Sequence, residues 1–299
     1  MTDVYIPNKN QVAQSFGQAA TRYDDVAILQ RQTGDELIDR LSLVKHEPKR
    51  ILDLGSGTGR NLLQLNQCYP KAELLAVDIA PAMLVQAQKT YQQTLGIKHL
   101  LPGKKKPFYL AGDAEKLPLL ENSVDLIFAN LAIQWCDLNK TFSEIARVLH
   151  ADGLCVFSTL GPDTLQELRQ AWASVDDYPH VNVFYDMHDV GEAMMNVGLT
   201  DPVLDMDRHT LTYDTAMALM KDLKVLGARN VNSGRRRGLT GQQALKQVAS
   251  YYEQFRVAGL LPASYEVIYG HAWGVKQTTQ QHSDAAGAVH IPLSQIQRR

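Results

Sequence analysis

Residues 51–59 read Ile-Leu-Asp-Leu-Gly-Ser-Gly-Thr-Gly, an apolar run that ends in Gly55, Gly57 and Gly59 and is followed by a helical pattern. Glycines allow a tight turn with positive φ and let a ligand approach bare backbone. A helix that opens at such a turn offers unpaired N–H groups to the polar or anionic end of that ligand. About twenty residues on, Leu-Leu-Ala-Val-Asp-Ile ends a second apolar run at Asp78. A carboxylate at the tip of a second strand can accept hydrogen bonds from both hydroxyls of a ribose. The pairing predicts an α/β fold built around a nucleoside-bearing cofactor.

The identity of the nucleoside follows from the glycine spacing. A dinucleotide fingerprint, G-x-G-x-x-G, is shaped around a pyrophosphate. Here Arg60 stands where the last dinucleotide glycine would fall, and the turn is G-x-G-x-G, opened by Asp53. This turn resembles the first motif of the class I S-adenosylmethionine-dependent methyltransferases. The resemblance implies a Rossmann-like, mostly parallel seven-stranded sheet. It also implies cofactor contacts from Asp53, at the methionine end, and from Gly55, Gly57, Gly59, Asp78, Ile79 and Met83. Gly112-Asp113-Ala114-Glu115 is similar to the family segment whose acid meets the adenine amino group, so Asp113 and Ala114 join the set. Asp125–Leu131 resembles the fourth motif and brings Asn130 beside the methyl-transfer centre. Both have a plainer alternative: Asp113 can start a turn and Asn130 can satisfy loop backbone.

Alternation of apolar runs and helical patterns sets the order of elements. Strands are predicted at about 50–54, 73–78, 107–111, 124–129 and 154–158, with further candidates near 202–211 and 265–275. Helices are expected at about 59–67, from Pro81 onward, and at about 138–149, with a loop carrying Lys104, Lys105 and Lys106 over 96–107. The expected organisation is an N-terminal helical segment at 1–45 over the active site and an α/β core at 46–212. A helical insertion at 213–260 is read as a cap for substrate or carrier, a final core strand at 261–276 follows, and 277–299 reads as a disordered tail.

Composition narrows the class. A net charge of −2 gives no global pull toward nucleic acid or membrane. No apolar run reaches the length of a bilayer span, and the amino terminus lacks an export pattern, so a cytoplasmic protein is expected. Cys68, Cys136 and Cys155 are far apart and are expected to be buried thiols rather than metal ligands. His188, His209 and His271 are read as structural, and no metal site is expected.

Several longer segments narrow the family. They are Ser15–Asp24 with Leu29–Gln32, Asn130–Cys136, Phe157–Leu168 with Ala171-Trp172, Asp222–Asn230, and Gly234–Leu239. Together they resemble the malonyl-[acyl-carrier protein] O-methyltransferases that begin pimelate synthesis for biotin. The resemblance implies methyl transfer from S-adenosylmethionine to the free carboxylate of a malonyl group on acyl-carrier protein. It implies a pocket wall of Tyr23, Gln134 and Trp135, although an aromatic on an amphipathic helix can also be simple core. No general base is expected, because a carboxylate with a pKa of roughly 4 is already ionised at neutral pH. Arg229, Arg235 and Arg236 could grip the acidic carrier, its phosphopantetheine arm or the malonyl carboxylate, or simply be solvated surface. Three other readings stay open: a protein-arginine hydroxylase of the complex I assembly-factor type, a methyltransferase of another small carboxylate or thioester, and a non-catalytic S-adenosylmethionine sensor.

Overall fold

The computed structural model describes residues 7–96, 106–228, 230–231 and 241–275. Three N-terminal helices come first: α1 (Lys9–Ala19), α2 (Tyr23–Val26) and α3 (Ile28–Ser42). The Asn8 side chain caps α1 by accepting from the Gln11 N–H, which satisfies one of the orphan donors of the first turn. The core then alternates β1 (Arg50–Leu54), α4 (Arg60–Cys68), β2 (Glu73–Asp78), α5 (Pro81–Leu95), β3 (Phe108–Ala111), β4 (Val124–Asn130), α6 (Leu138–Val148) and β5 (Leu149–Leu160). After it come α7 (Gln166–Ala173), α8 (Met187–Asn196), β6 (Thr200–Tyr213), α9 (Ala216–Val225), α10 (Gln242–Tyr252) and β7 (Leu261–Trp273).

The seven strands form one sheet in the order β3-β2-β1-β4-β5-β7-β6. Strands β1 to β5 run parallel to their neighbours, and β7 runs antiparallel between β5 and β6. Successive residues of β4 divide between two core clusters: Leu126 and Phe128 pack on one face, Ile127 and Ala129 on the other. A strand covered on both faces reads as near-continuous apolar sequence, as Val124–Ala129 does but for Asp125, whose Oδ2 accepts from the Lys49 and Arg50 N–H groups. Connections from β1 lead outward to β2 and β3 on one side, while β4 and β5 lie on the other. The carboxyl ends of β1 and β4 therefore border the switch point where open α/β sheets hold ligands.

Some expectations are corrected. Strand β5 begins at Leu149 rather than 154, because Leu149 already pairs with Val124 before an irregularity in the register. Helices α7 and α8 interrupt what read as unassigned chain between β5 and β6. The 213–260 stretch holds two helices among its described residues: α9 stops at Val225, and α10 starts at Gln242. Gly227 marks the first stop, with φ +79 and a Cβ position 3.0 Å from the Ser15 carbonyl of α1, so only glycine fits there. Cys68 is exposed, while Cys136 and Cys155 are buried as expected. Lys104, Lys105 and the 277–299 tail lie outside the described residues.

Candidate active site

The glycine turn is held by the strand beside it. Gly55 and Ser56 donate backbone N–H bonds to the Val77 carbonyl at 2.8 and 3.1 Å. Asp78 then closes the loop: Oδ2 accepts from the Gly57 N–H at 2.9 Å and Oδ1 from the Ala80 N–H at 2.8 Å. Gly57 has φ +52, and a Cβ there would stand in open space. Gly55 faces the opposite constraint, because its Cβ would collide with the Ala132 methyl. One glycine keeps a surface bare and the other lets the β4 loop pack close.

This turn opens onto a cavity of about 650 Å³, counting its mouth, at the switch point. Of the residues expected at the cofactor, Gly55, Gly57, Asp78, Ile79, Met83, Asp113, Ala114 and Asn130 all line it. Gly59 does not. It caps α4 with φ +81, and a Cβ there would press on Ala87 of α5, so its place is helix packing. Asp53 lies behind the cavity wall, 2% exposed, with Oδ2 lacking any hydrogen-bond partner. Burial, then the nearby Asp78 carboxylate, pushes Asp53 up to about 8. Burial also raises Asp78 to about 6, against the pull of its bonds from Ala80 and Gly57. Asp53 thus keeps one carboxylate oxygen unpaired behind the wall, while Asp78 lines the cavity itself.

The N-terminal helices roof this cavity. Lys9, Val12, Phe16 and Tyr23 line it from above. The Phe16 ring meets Trp135 edge-on at 5.2 Å and tilts against Tyr23 at 6.4 Å, so the three form one aromatic wall. Burial first, then Asp78 and Asp24, raises the Tyr23 phenol, which stays a protonated hydroxyl. Lys9 ties the roof down: its Nζ lies 2.7 Å from Glu115 Oε1, 3.2 Å from Asp113 Oδ1 and 3.2 Å from the Trp135 carbonyl. Phe16 and Lys9 went unnoticed in the sequence. Phe16 sits inside the quoted Ser15–Asp24 segment, but nothing local distinguishes a roof lysine from a solvated one.

Asn130 is at the cavity but fully engaged elsewhere. Its Oδ1 accepts from Thr33 and Ser158 hydroxyls, each at 2.8 Å, and its Nδ2 donates to the Gln30 carbonyl at 2.8 Å. Its side chain knots α3 to the ends of β4 and β5. Arg60 likewise turns away from the ligand, forking onto both oxygens of Asp35 in α3 at 2.7 and 3.0 Å. That fork holds Asp35 below its ordinary value. Arginine in place of the dinucleotide glycine thus fastens the roof.

A second cavity of about 680 Å³ adjoins the first, and Phe16, Tyr23, Leu131 and Trp135 line both. Gln134 lines only the second; its Nε2 donates to the Leu131 carbonyl at 2.6 Å. Leu131 and Leu165 line this space with φ of +48 and +55, conformations that bulky side chains rarely adopt. Leu160, Thr164 and Leu168 add to the wall, and α9 with its exit closes it through Leu223, Leu226 and Ala228. Arg229, Arg235 and Arg236 lie outside the described residues.

Comparison with known proteins agrees with this geometry. A methyltransferase-domain family model matches residues 52–157, which run from β1 into β5. The B. subtilis YcgJ protein crystal structure superposes with a TM-score of 0.58 at 17% identity, covering 82% of this chain and 99% of that one, which supports the fold alone. The malonyl-[acyl-carrier protein] O-methyltransferase of Nitrosospira multiformis is 46% identical over 273 residues, 89% of each chain. That of Laribacter hongkongensis is 45% identical over 275 residues, 91% of this chain and 92% of its own. The chain belongs to the malonyl-[acyl-carrier protein] O-methyltransferase family.

Proposed function

We propose that the protein transfers a methyl group from S-adenosylmethionine to the free carboxylate of a malonyl thioester carried by acyl-carrier protein. The observation that carries this reading is the pair of cavities sharing one aromatic wall, one lined by the glycine-turn motif and the other by the Asn130–Cys136, Phe157–Leu168 and Asp222–Asn230 segments that carry the family resemblance. The first cavity suits the cofactor. The unpartnered Asp53 Oδ2 faces the chemistry of an α-amino group, Asp78 that of a ribose diol, and the bare Gly57 leaves room for close approach. Asp113 and Ala114 would take the adenine end, and Ile79 and Met83 its faces. When bound, S-adenosylmethionine supplies an electrophilic methyl on a sulfonium sulfur.

The protein's own part is orientation and exclusion of water. The acceptor carboxylate is ionised at neutral pH, so no residue needs to take a proton from it. Tyr23, kept protonated by burial and the neighbouring acids, can donate to one carboxylate oxygen and leave the other for attack. Phe16 and Trp135 keep the junction dry, which favours a reaction that neutralises an anion against a cation. Holding two reactants in line can contribute roughly 7–11 kcal/mol in favourable cases. Arg229, Arg235 and Arg236 are assigned to the acidic carrier or its arm, on their sequence alone.

The test offers purified protein S-adenosylmethionine with malonyl-carrier protein, malonyl-coenzyme A or free malonate, with mass spectrometry of the products. Ester on the malonyl thioesters is expected. Ester on none of the three acceptors, or a hydroxylated protein product instead, overturns the reading. Replacing the three arginines with alanine should raise KM for malonyl-carrier protein and leave cofactor affinity unchanged. Unchanged KM returns them to solvated surface.

A further inference from the structure

Lys9 joins three parts of the molecule at one atom. Its Nζ lies 2.7 Å from Glu115 Oε1 and 3.2 Å from Asp113 Oδ1, on the turn after β3, and donates to the Trp135 carbonyl at 3.2 Å. Asp113 lines the end of the first cavity that the proposed reading gives to adenine, and Trp135 belongs to the wall that both cavities share. Lys9 itself opens α1. Glu115 doubles the tie, because the same Oε1 accepts from the Asp137 N–H at 2.8 Å. The short turn Ile133–Trp135 is therefore bound to the adenine side twice, once just past it through Asp137 and once through the lysine.

The charge of this lysine depends on its seat. The Lys9 side chain is only 22% exposed. Burial alone would discharge it, but Cys136, Glu115 and Asp113 hold it above the ordinary lysine value. A largely buried cation persists only where it is paired, so the seat exists only while the two acids and the carbonyl converge. Nor can α1 stand by itself: it has 11 residues, and isolated helices shorter than about 12–15 are marginal in water. Lys9 at its start and Phe16 against the Trp135 ring are what seat it.

We propose that Lys9 is a positioning residue that makes the acceptor wall depend on the cofactor. With the cofactor on the Asp113–Ala114 turn, the seat of α1 is steadied. Lys9 passes that constraint to the Trp135 backbone, so the wall is complete only when the methyl donor is in place. This rests on the methyl-transfer reading, which puts the adenine end at Asp113 and the acceptor at the shared wall.

The test follows hydrogen exchange by mass spectrometry on the whole protein, free and saturated with S-adenosylhomocysteine. In the unaltered protein the ligand should slow exchange at least about fivefold over both Lys9–Ala19 and Ile133–Asp137. Lys9→Met, close in length but uncharged, should keep the protection over Asp113–Lys116 and lose most of it over Ile133–Asp137. Its kcat/KM for malonyl-carrier protein should fall at least about tenfold, with S-adenosylhomocysteine affinity within about threefold, and Lys9→Arg should recover most of the loss. Removing the lysine leaves two acids unpaired, so Glu115→Gln is the second variant. It keeps an acceptor for the Asp137 N–H, weakens the hold on Lys9 and should shift the protection in the same direction. Absence of ligand protection over Ile133–Asp137 in the unaltered protein overturns the proposal. So does full protection there, or an unchanged kcat/KM, in folded Lys9→Met protein. Failure of both variants to fold also overturns it, since the lysine would then be a structural tie alone. Protection that depends on Lys9, with no ester formed on any malonyl acceptor, would instead overturn the methyl-transfer reading and leave the coupling standing.

Discussion

The Thr58 hydroxyl donates to Asp24 Oδ1 at 2.7 Å, joining the cofactor turn to the residue beside Tyr23. The two stand 34 positions apart and on different layers of the molecule. Helix α2 is only four residues long and has no side-chain cap, so it cannot fix Tyr23 by itself. The clasp supplies the missing constraint, and it links the cofactor side of the shared wall to the acceptor side.

Breaking the clasp should therefore act on chemistry more than on cofactor binding. Thr58→Val and Asp24→Ala each remove one hydrogen bond worth about 1 kcal/mol to stability. Both should lower kcat several-fold with cofactor affinity within about threefold, and Thr58→Ser should restore it. Wild-type kcat in Asp24→Ala would show that Tyr23 needs no fastening.

In the proposed reading, the other half of the turn carries cofactor binding. Asp78→Ala removes the acceptor for the Gly57 and Ala80 N–H groups as well as the ribose partner. Gly57→Val places a branched side chain in the open space above the turn, on a residue with φ +52. Each should weaken S-adenosylmethionine at least about a hundredfold by calorimetry, about 2.7 kcal/mol, with the circular-dichroism spectrum retained. Undiminished affinity in both variants would remove this cavity as the cofactor site.

The two raised acids give a pH signature. Asp53 at about 8 and Asp78 at about 6 hold protons in the folded protein that the unfolded chain releases near the ordinary carboxylate value. The folded state then binds more protons than the unfolded one, so stability falls as pH rises. The loss begins near pH 4 and continues through about 6 for Asp78 and about 8 for Asp53, then levels off. Ligand-free protein should melt higher at pH 5 than at pH 8, and Asp53→Asn should flatten the upper part of the slope. A cationic amino group placed at Asp53 favours its charged form. Binding of S-adenosylmethionine at neutral pH should therefore release up to about one proton, measured by calorimetry in buffers of different ionisation enthalpy. No proton release, or the same release in Asp53→Asn, would separate Asp53 from the amino group.

Local sequence determined the parts whose cause is local. The largely apolar runs at 73–78 and 124–129 were legible as strands because burial on both faces favours near-continuous apolar sequence. Gly55, Gly57 and Asp78 were legible as a tight turn because glycine takes positive φ without strain and a carboxylate at the strand tip can accept the turn's N–H groups. Where helices were expected over 1–45, α1, α2 and α3 lie between Lys9 and Ser42; Tyr23 and Trp135 line both cavities and Gln134 the second alone.

Tertiary structure decided what depends on partners distant in the chain. Gly59 looked like the third member of a ligand turn, yet its close approach to Ala87 makes it a packing residue. Asn130 lines the first cavity, and there Thr33, Gln30 and Ser158 engage its side chain. Lys9 looked like any terminal lysine until Asp113 and Glu115 were brought beneath it. In each case the chemistry of the side chain left several roles open. The choice among them was made by which donor, acceptor or methyl group the fold carried to within a few ångströms.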